Sequence, residues 1–140
     1  MIITEKFITK TDLDQVEKYA DKIFAKVGID VEFTRHFLDR VNDERNKKQI
    51  TPAELTRLFK QTYAKHGKKI PQMGPDAEAV IKDMRTDINM PFVLNFKNGE
   101  LELVAKTIMR KKNFKTPNPE LAVESVMDIW KKKRCLNSMR

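Results

Sequence analysis

The dipeptide Asn98-Gly99 sets two apolar runs against each other, and it constrains this chain more tightly than any other feature. Asn-Gly suits a two-residue type I′ turn, because both positions must take positive φ and the turn's twist matches that of the strands it joins. With Lys97 opposite Glu100, the register follows. Phe96 faces Leu101, Leu94 faces Leu103, Phe92 faces Ala105 and Met90 faces Thr107, all on the core side of a hairpin over 88–110. Val93, Asn95, Glu102, Val104, Lys106, Ile108 and Arg110 fall on the other side. Thr107 stands where the core side runs out, placed to turn its hydroxyl towards a cleft.

An isolated hairpin is marginal in water, so its apolar side needs helices. Leu13, Val16, Ala20, Ile23, Phe24 and Val27 keep helical spacing between Thr11, read as an N-cap, and Gly28. Thr51-Pro52-Ala53-Glu54 opens a second helix with a capping box and proline at its first position; Leu55, Leu58, Phe59, Thr62 and Tyr63 face inward and Gly67 ends it. Between them, Phe33, Phe37 and Val41 recur every four residues with Leu38 beside them. This predicts a helix capped by Thr34 and ending near Asn46, with its apolar stripe on the hairpin. A second stripe on the same rod carries His36, Arg40, Glu44 and Lys47. That stripe is either an active-site edge or a solvated face.

The remaining segments are expected as an edge strand over 2–8, a linker with strand character over 29–33, a loop over 68–75 and a short helix over 76–84. A last helix starts at Asn118-Pro119, has an apolar face of Leu121, Ala122, Val126, Ile129 and Trp130, and ends in Lys131 to Arg134. The predicted architecture is α+β: N-terminal helices on a small antiparallel sheet centred on the hairpin, with a basic C-terminal helix. Residues 1–115 form one domain, a size that buries a single core, and 116–140 form the basic helix and tail.

The net charge of +8 is concentrated. From Ala105 to Arg140 there are ten basic residues against Glu120, Glu124 and Asp128, which accounts for +7 of it. Such asymmetry marks a polyanion binder, nucleic acid first and an acidic protein or membrane surface second, unless it is only a solubilising tail. The candidate phosphate contacts are Arg45, Lys106, Lys111, Lys112, Lys115, Lys131, Lys132, Lys133 and Arg134. No apolar run approaches the roughly 20 residues that span a bilayer; the expected partner is RNA or another polyanion, with an acidic protein possible and no membrane. Cys135 is alone, which excludes an internal disulfide and a cysteine-rich zinc site and suits a reducing cytoplasm.

The four glycines sit at turns or helix ends, so there is no phosphate-binding glycine loop. His36 and His66 lie thirty residues apart, not at metal-ligand spacing. The acid pairs Asp12/Asp14 and Asp39/Asp43 are accounted for by helix starts and i,i+4 partners, and His66 by the C-terminal end of a helix dipole. No metal or other cofactor is expected. The chemistry that fits is metal-independent RNA cleavage, in which a 2′-hydroxyl attacks its own phosphate. It requires a group that takes and returns a proton near neutral pH, here His36, and cations for the developing phosphorane charge, here Arg40 one turn on.

The phrase His36-Phe37-Leu38-Asp39-Arg40-Val41-Asn42-Asp43-Glu44-Arg45, followed by the strand ending Lys106-Thr107-Ile108-Met109-Arg110, resembles the barnase–EndoU–colicin–RelE nuclease superfamily, especially its phage-borne branch, over residues 33–115. The resemblance implies helices followed by an antiparallel sheet, and a histidine and arginine on an early helix facing a Ser or Thr and a basic residue on a late strand. Carried over, these are His36, Arg40, Thr107 and Arg110, with Arg45 as an accessory cation. The second catalytic histidine or tyrosine that many members carry has no counterpart here. The expected function is thus a metal-independent ribonuclease or toxin-like RNA-binding domain of phage origin, acting in the host cytoplasm. The alternative is a non-catalytic virion or accessory protein that docks an acidic partner, a phage structural protein or nucleic acid through its last helix.

Overall fold

The computed structural model describes residues 7–123. Its elements are α1 (Lys10–Phe24), β1 (Ile29–Phe33), α2 (Phe37–Val41), α3 (Pro52–His66), β2 (Glu78–Asp83), β3 (Ile88–Lys97), β4 (Glu100–Ala105), β5 (Met109–Arg110) and β6 (Glu120–Val123). The fold is mixed α+β. One sheet runs in the order β1-β4-β3-β2-β6, with β5 paired to β3. Its centre, β2-β3-β4, is antiparallel, and β1 and β6 join its two edges in parallel.

The hairpin register is as predicted: Lys97 pairs with Glu100, Phe96 with Leu101, Leu94 with Leu103 and Phe92 with Ala105. Asn98 at φ 53° and Gly99 at φ 82° supply the positive dihedrals of the turn. The expected pairing of Met90 with Thr107 does not occur. Between Phe92–Ala105 and Asn89–Met109, Met90 and Pro91 oppose Lys106, Thr107 and Ile108, so the ladder slips by one residue. Pro91 has no N–H to donate at this point, which favours an interruption. The slip inverts the facing, so that Ile108 is buried while Thr107 turns out. Phe96, expected in the core, is 62% exposed, because the whole tip from Asn95 to Glu100 projects beyond it.

Four further expectations are corrected. The first helix is capped by Thr9, not Thr11; Thr9 and Asp12 form a reciprocal capping box. The helix expected over 34–46 is a five-residue α2 followed by a 3₁₀ turn at Glu44–Asn46, and Thr34, instead of capping it, donates its hydroxyl hydrogen to the Lys106 carbonyl at 2.7 Å. Residues 78–83 are a strand, not a helix, because they pair along their whole length with β3 and, from Val80 to Asp83, with β6 on the other side. The stretch from Glu120, read as a helix, is β6, so the sheet continues past residue 115. The remainder of the expected basic helix, with Lys131, Lys132, Lys133 and Arg134, lies outside the described residues, as does most of the expected strand over 2–8.

α3 is as predicted: Thr51 and Glu54 close the capping box around Pro52, and Leu55, Leu58, Phe59 and Thr62 are buried. The core is stitched by aromatic rings. Phe24 meets Phe59 edge-on at 6.5 Å and Tyr63 at 5.5 Å; Phe33 meets Phe59 at 5.9 Å and Phe37 at 4.4 Å. Each such pair adds about 1 kcal/mol beyond its buried area. The rings thus link α1, α3, β1 and α2 in one continuous series of contacts. At the other end of α3, His66 Nε2 bonds the Ala122 carbonyl at 2.9 Å, fastening β6. Among the described residues, no helix is long and apolar enough to cross a membrane.

Candidate nucleic-acid interface

α2 and the turn after it face β5 and the residues that follow it across a cleft of about 710 Å³. One wall carries Arg40, Asp43, Arg45 and Lys47, and the other Thr107, Arg110, Lys111 and Lys112, with Asp87 at the edge. Six of these nine side chains are cationic, against the two carboxylates of Asp43 and Asp87.

Two buried asparagines that the sequence reading did not single out shape the cleft: Asn46 joins its walls, and Asn89 fixes the wall that β5 forms. Asn46, 4% exposed, donates from Nδ2 to the carbonyls of Arg40 and Val41, and its Oδ1 accepts the Arg110 N–H at 3.0 Å. It thereby ties the end of α2 to β5. Asn89, fully buried, donates from Nδ2 to the carbonyls of Asp87, Met109 and Lys111. For Asn46, a short polar residue at the end of a helical pattern is the local signal for such a role, since its side chain competes for backbone groups; Asn89, inside a strand, carries no such signal.

Arg110 lines the cleft but has no donor left for a ligand. Its Nε bonds the Lys48 carbonyl, Nη1 bonds Glu54 and the Thr86 carbonyl, and Nη2 bonds Glu54 and the Gln49 carbonyl. These are all five N–H groups of a guanidinium. Burial alone would raise the Glu54 carboxyl; the hydrogen bond from Arg110, the Thr51 N–H and the charge of Arg110 outweigh it and hold it below its usual range. Arg110 thus builds the cleft. What it holds is a strained turn: Lys47 sits at φ 65°, ψ −51°, and the Lys48 N–H bonds the Asn46 carbonyl at 2.6 Å, a γ-turn of the uncommon positive-φ kind.

Arg45 is exposed and bonds Asp43 through Nη2 at 3.0 Å, and its hydrogen bonds hold the Asp43 carboxyl below the usual range. Among the described residues, Arg40, Lys47, Lys111 and Lys112 make no ion pair. These four are the cations open to a ligand; Lys47, part of the polar stripe, had not been assigned a role.

The remaining sequence candidates lie elsewhere. His36 is exposed at the N-terminal end of α2 and does not line the cleft. Lys106 pairs with Glu78 at 2.8 Å and does not line the cleft, and Lys115 is exposed and outside it. The structure therefore brings Arg40, Arg45, Thr107, Arg110, Lys111 and Lys112 together and leaves His36, Lys106 and Lys115 apart. No protein-family model, curated protein or solved structure matches the chain.

Proposed function

We propose that the chain binds RNA along this cleft, with Arg40, Lys47, Lys111 and Lys112 on phosphates and the Thr107 hydroxyl as a neutral donor between the walls. The observation that carries the reading is that four cations without ion-pair partners among the described residues converge from two walls whose geometry is fixed by Asn46, Asn89 and Arg110. What sets these cations apart from other solvated surface charges is their convergence: carbonyl-bonded asparagines and a five-donor arginine hold a basic cleft open. The resemblance to the nuclease superfamily points to the same ligand class.

Binding is favoured over cleavage because the lining groups offer phosphate ligands but no imidazole. Cleavage by 2′-hydroxyl attack remains the second reading, since Arg40 and Thr107 do share the cleft and His36 stands one turn before Arg40.

Fluorescence anisotropy of a labelled RNA across a salt series separates these. The expected result for the wild type is an affinity falling steeply with salt, and for Arg40→Ala/Lys111→Ala/Lys112→Ala a slope smaller by about 2 to 3, or about 0.7–0.9 per lost phosphate contact. An unchanged slope refutes the cleft as the binding site. In the same samples with EDTA, 2′,3′-cyclic phosphate ends that vanish in His36→Ala would establish cleavage; intact RNA leaves binding alone.

A further inference from the structure

The order of the sheet brings the basic end of the sequence back to the cleft. β1, β4, β2 and β6 all run in one direction, so the hairpin tip marks one end of the sheet and Val123, which closes β6, marks the other. The cleft lies at the Val123 end. Val123 pairs with Asp83, Asp83 with Ile88, and Ile88 with Arg110 on the cleft wall. Val123 and Arg110 thus stand in one row, three strand spacings or about 14 Å apart.

Residues 124–140 lie outside the described residues, but their charge and their point of departure are fixed. Lys131, Lys132, Lys133, Arg134 and Arg140 all follow Asp128, the last acid of the chain. The eight residues from Val123 to Lys131 span about 12 Å as a helix and about 28 Å fully extended, which brackets the distance to Arg110. The ground between is basic as well. The turn from β2 to β3 carries Arg85, which is exposed and, among the described residues, makes no ion pair. That turn touches both sides: the Met84 N–H bonds the Val123 carbonyl at 2.9 Å, and Asp87 lines the cleft. Asp83, 2% exposed, accepts the Arg85 and Thr86 N–H groups, so its carboxylate leaves no open negative charge on the way.

We propose that an RNA strand seated in the cleft continues over the β2–β3 turn, with Arg85 on its next phosphate, to the cations of residues 131–134 beyond β6. This path rests on the cleft as the RNA site and gives that site a direction and a length. Cleft, turn and tail then act as linked elements on one strand. A longer strand gains affinity by engaging all three, with no new contact inside the cleft.

The test measures anisotropy of labelled oligouridylates of about 4 and about 16 nucleotides, the range of single-strand site sizes, with the full chain. The wild type should bind the longer RNA about 100-fold tighter or more, the scale of linked engagement. Two variants, Arg85→Ala and Lys131→Gln/Lys132→Gln/Lys133→Gln/Arg134→Gln, should bind the short RNA as the wild type does. The long-to-short ratio should fall a few-fold in the first and by about tenfold or more in the second. Salt slopes on the longer RNA should fall by about 0.7 and about 3 respectively, at about 0.7 per phosphate contact. A wild-type ratio near one, or an unchanged ratio in either variant, overturns the path. So does full affinity for the longer RNA in Arg40→Ala/Lys111→Ala/Lys112→Ala, because the tail would then bind alone. Failure of the wild type to bind the short RNA at all would instead remove the cleft reading, and the path with it.

Discussion

Arg110 grips Glu54 with both prongs of its guanidinium, Nη2 at 2.9 Å from Oε1 and Nη1 at 3.2 Å from Oε2. Both side chains are largely covered, at 11% and 19% exposure. The pair links β5 to the first turn of α3, and the same guanidinium reaches the carbonyls of Lys48 and Gln49, so it secures the segment that presents Lys47.

Arg110→Ala leaves Glu54 covered and unpaired and three carbonyls without their donor. The expected loss is about 3 kcal/mol of stability, the scale for breaking a covered ion pair from one side. Arg110→Lys keeps the charge but not the planar fork, and should recover less than half of that loss. Urea unfolding of the three proteins checks both values. Equal stability of Arg110→Lys and wild type would mean that charge alone matters here.

The same pair fixes an acid limit. Glu54 ionises below its ordinary 4.5 in the fold, so on acidification the unfolded chain takes up this proton first. The contribution is therefore complete above about pH 4.5 and is lost as pH falls through the folded value. Urea midpoints between about pH 6 and about pH 3 should fall more steeply for wild type than for Glu54→Gln. Parallel curves would count against the pair as the source.

Asn46 replaces a helical turn with side-chain bonds, and it should behave as a structural residue. Asn46→Ala frees the Arg40 and Val41 carbonyls and the Arg110 N–H, at a cost of about 2 kcal/mol. Because it loosens both walls, RNA affinity should fall with it, although the side chain carries no charge. Loss of stability with full affinity would show that the walls are set some other way.

Gly99 tests the hairpin. Nothing lies within 4 Å of where its Cβ would be, so the only obstacle to a side chain is the backbone at φ 82°. Gly99→Ala should therefore cost about 1 kcal/mol in thermal unfolding, with an unchanged fold. A loss several times larger would point to contacts at the tip that the geometry lacks.

How much of this was legible depends on how local the code is. The Asn98-Gly99 turn and the Thr51-Pro52-Glu54 cap are written in adjacent residues, and the hairpin register and α3 follow directly from them. β2 and β6 are short apolar runs whose strand state depends on pairing with distant chain, and periodicity alone does not separate such runs from helix. The slip at Lys106 to Ile108 had one trace, Pro91 inside a strand, and it reversed Thr107 and Ile108. Arg40, Lys111 and Lys112 were readable as cations. That Arg110 is fully engaged was not, because Glu54 and the carbonyls it binds are remote in sequence.

The most direct test of the central claim is to map RNA onto the folded chain by amide chemical-shift changes during titration with a short RNA. Binding along the cleft predicts changes concentrated at residues 40–47 and 107–112, absent when Arg40, Lys111 and Lys112 are alanine. Changes confined to residues 124–140 or to the hairpin tip, with 40–47 and 107–112 unmoved, would contradict it.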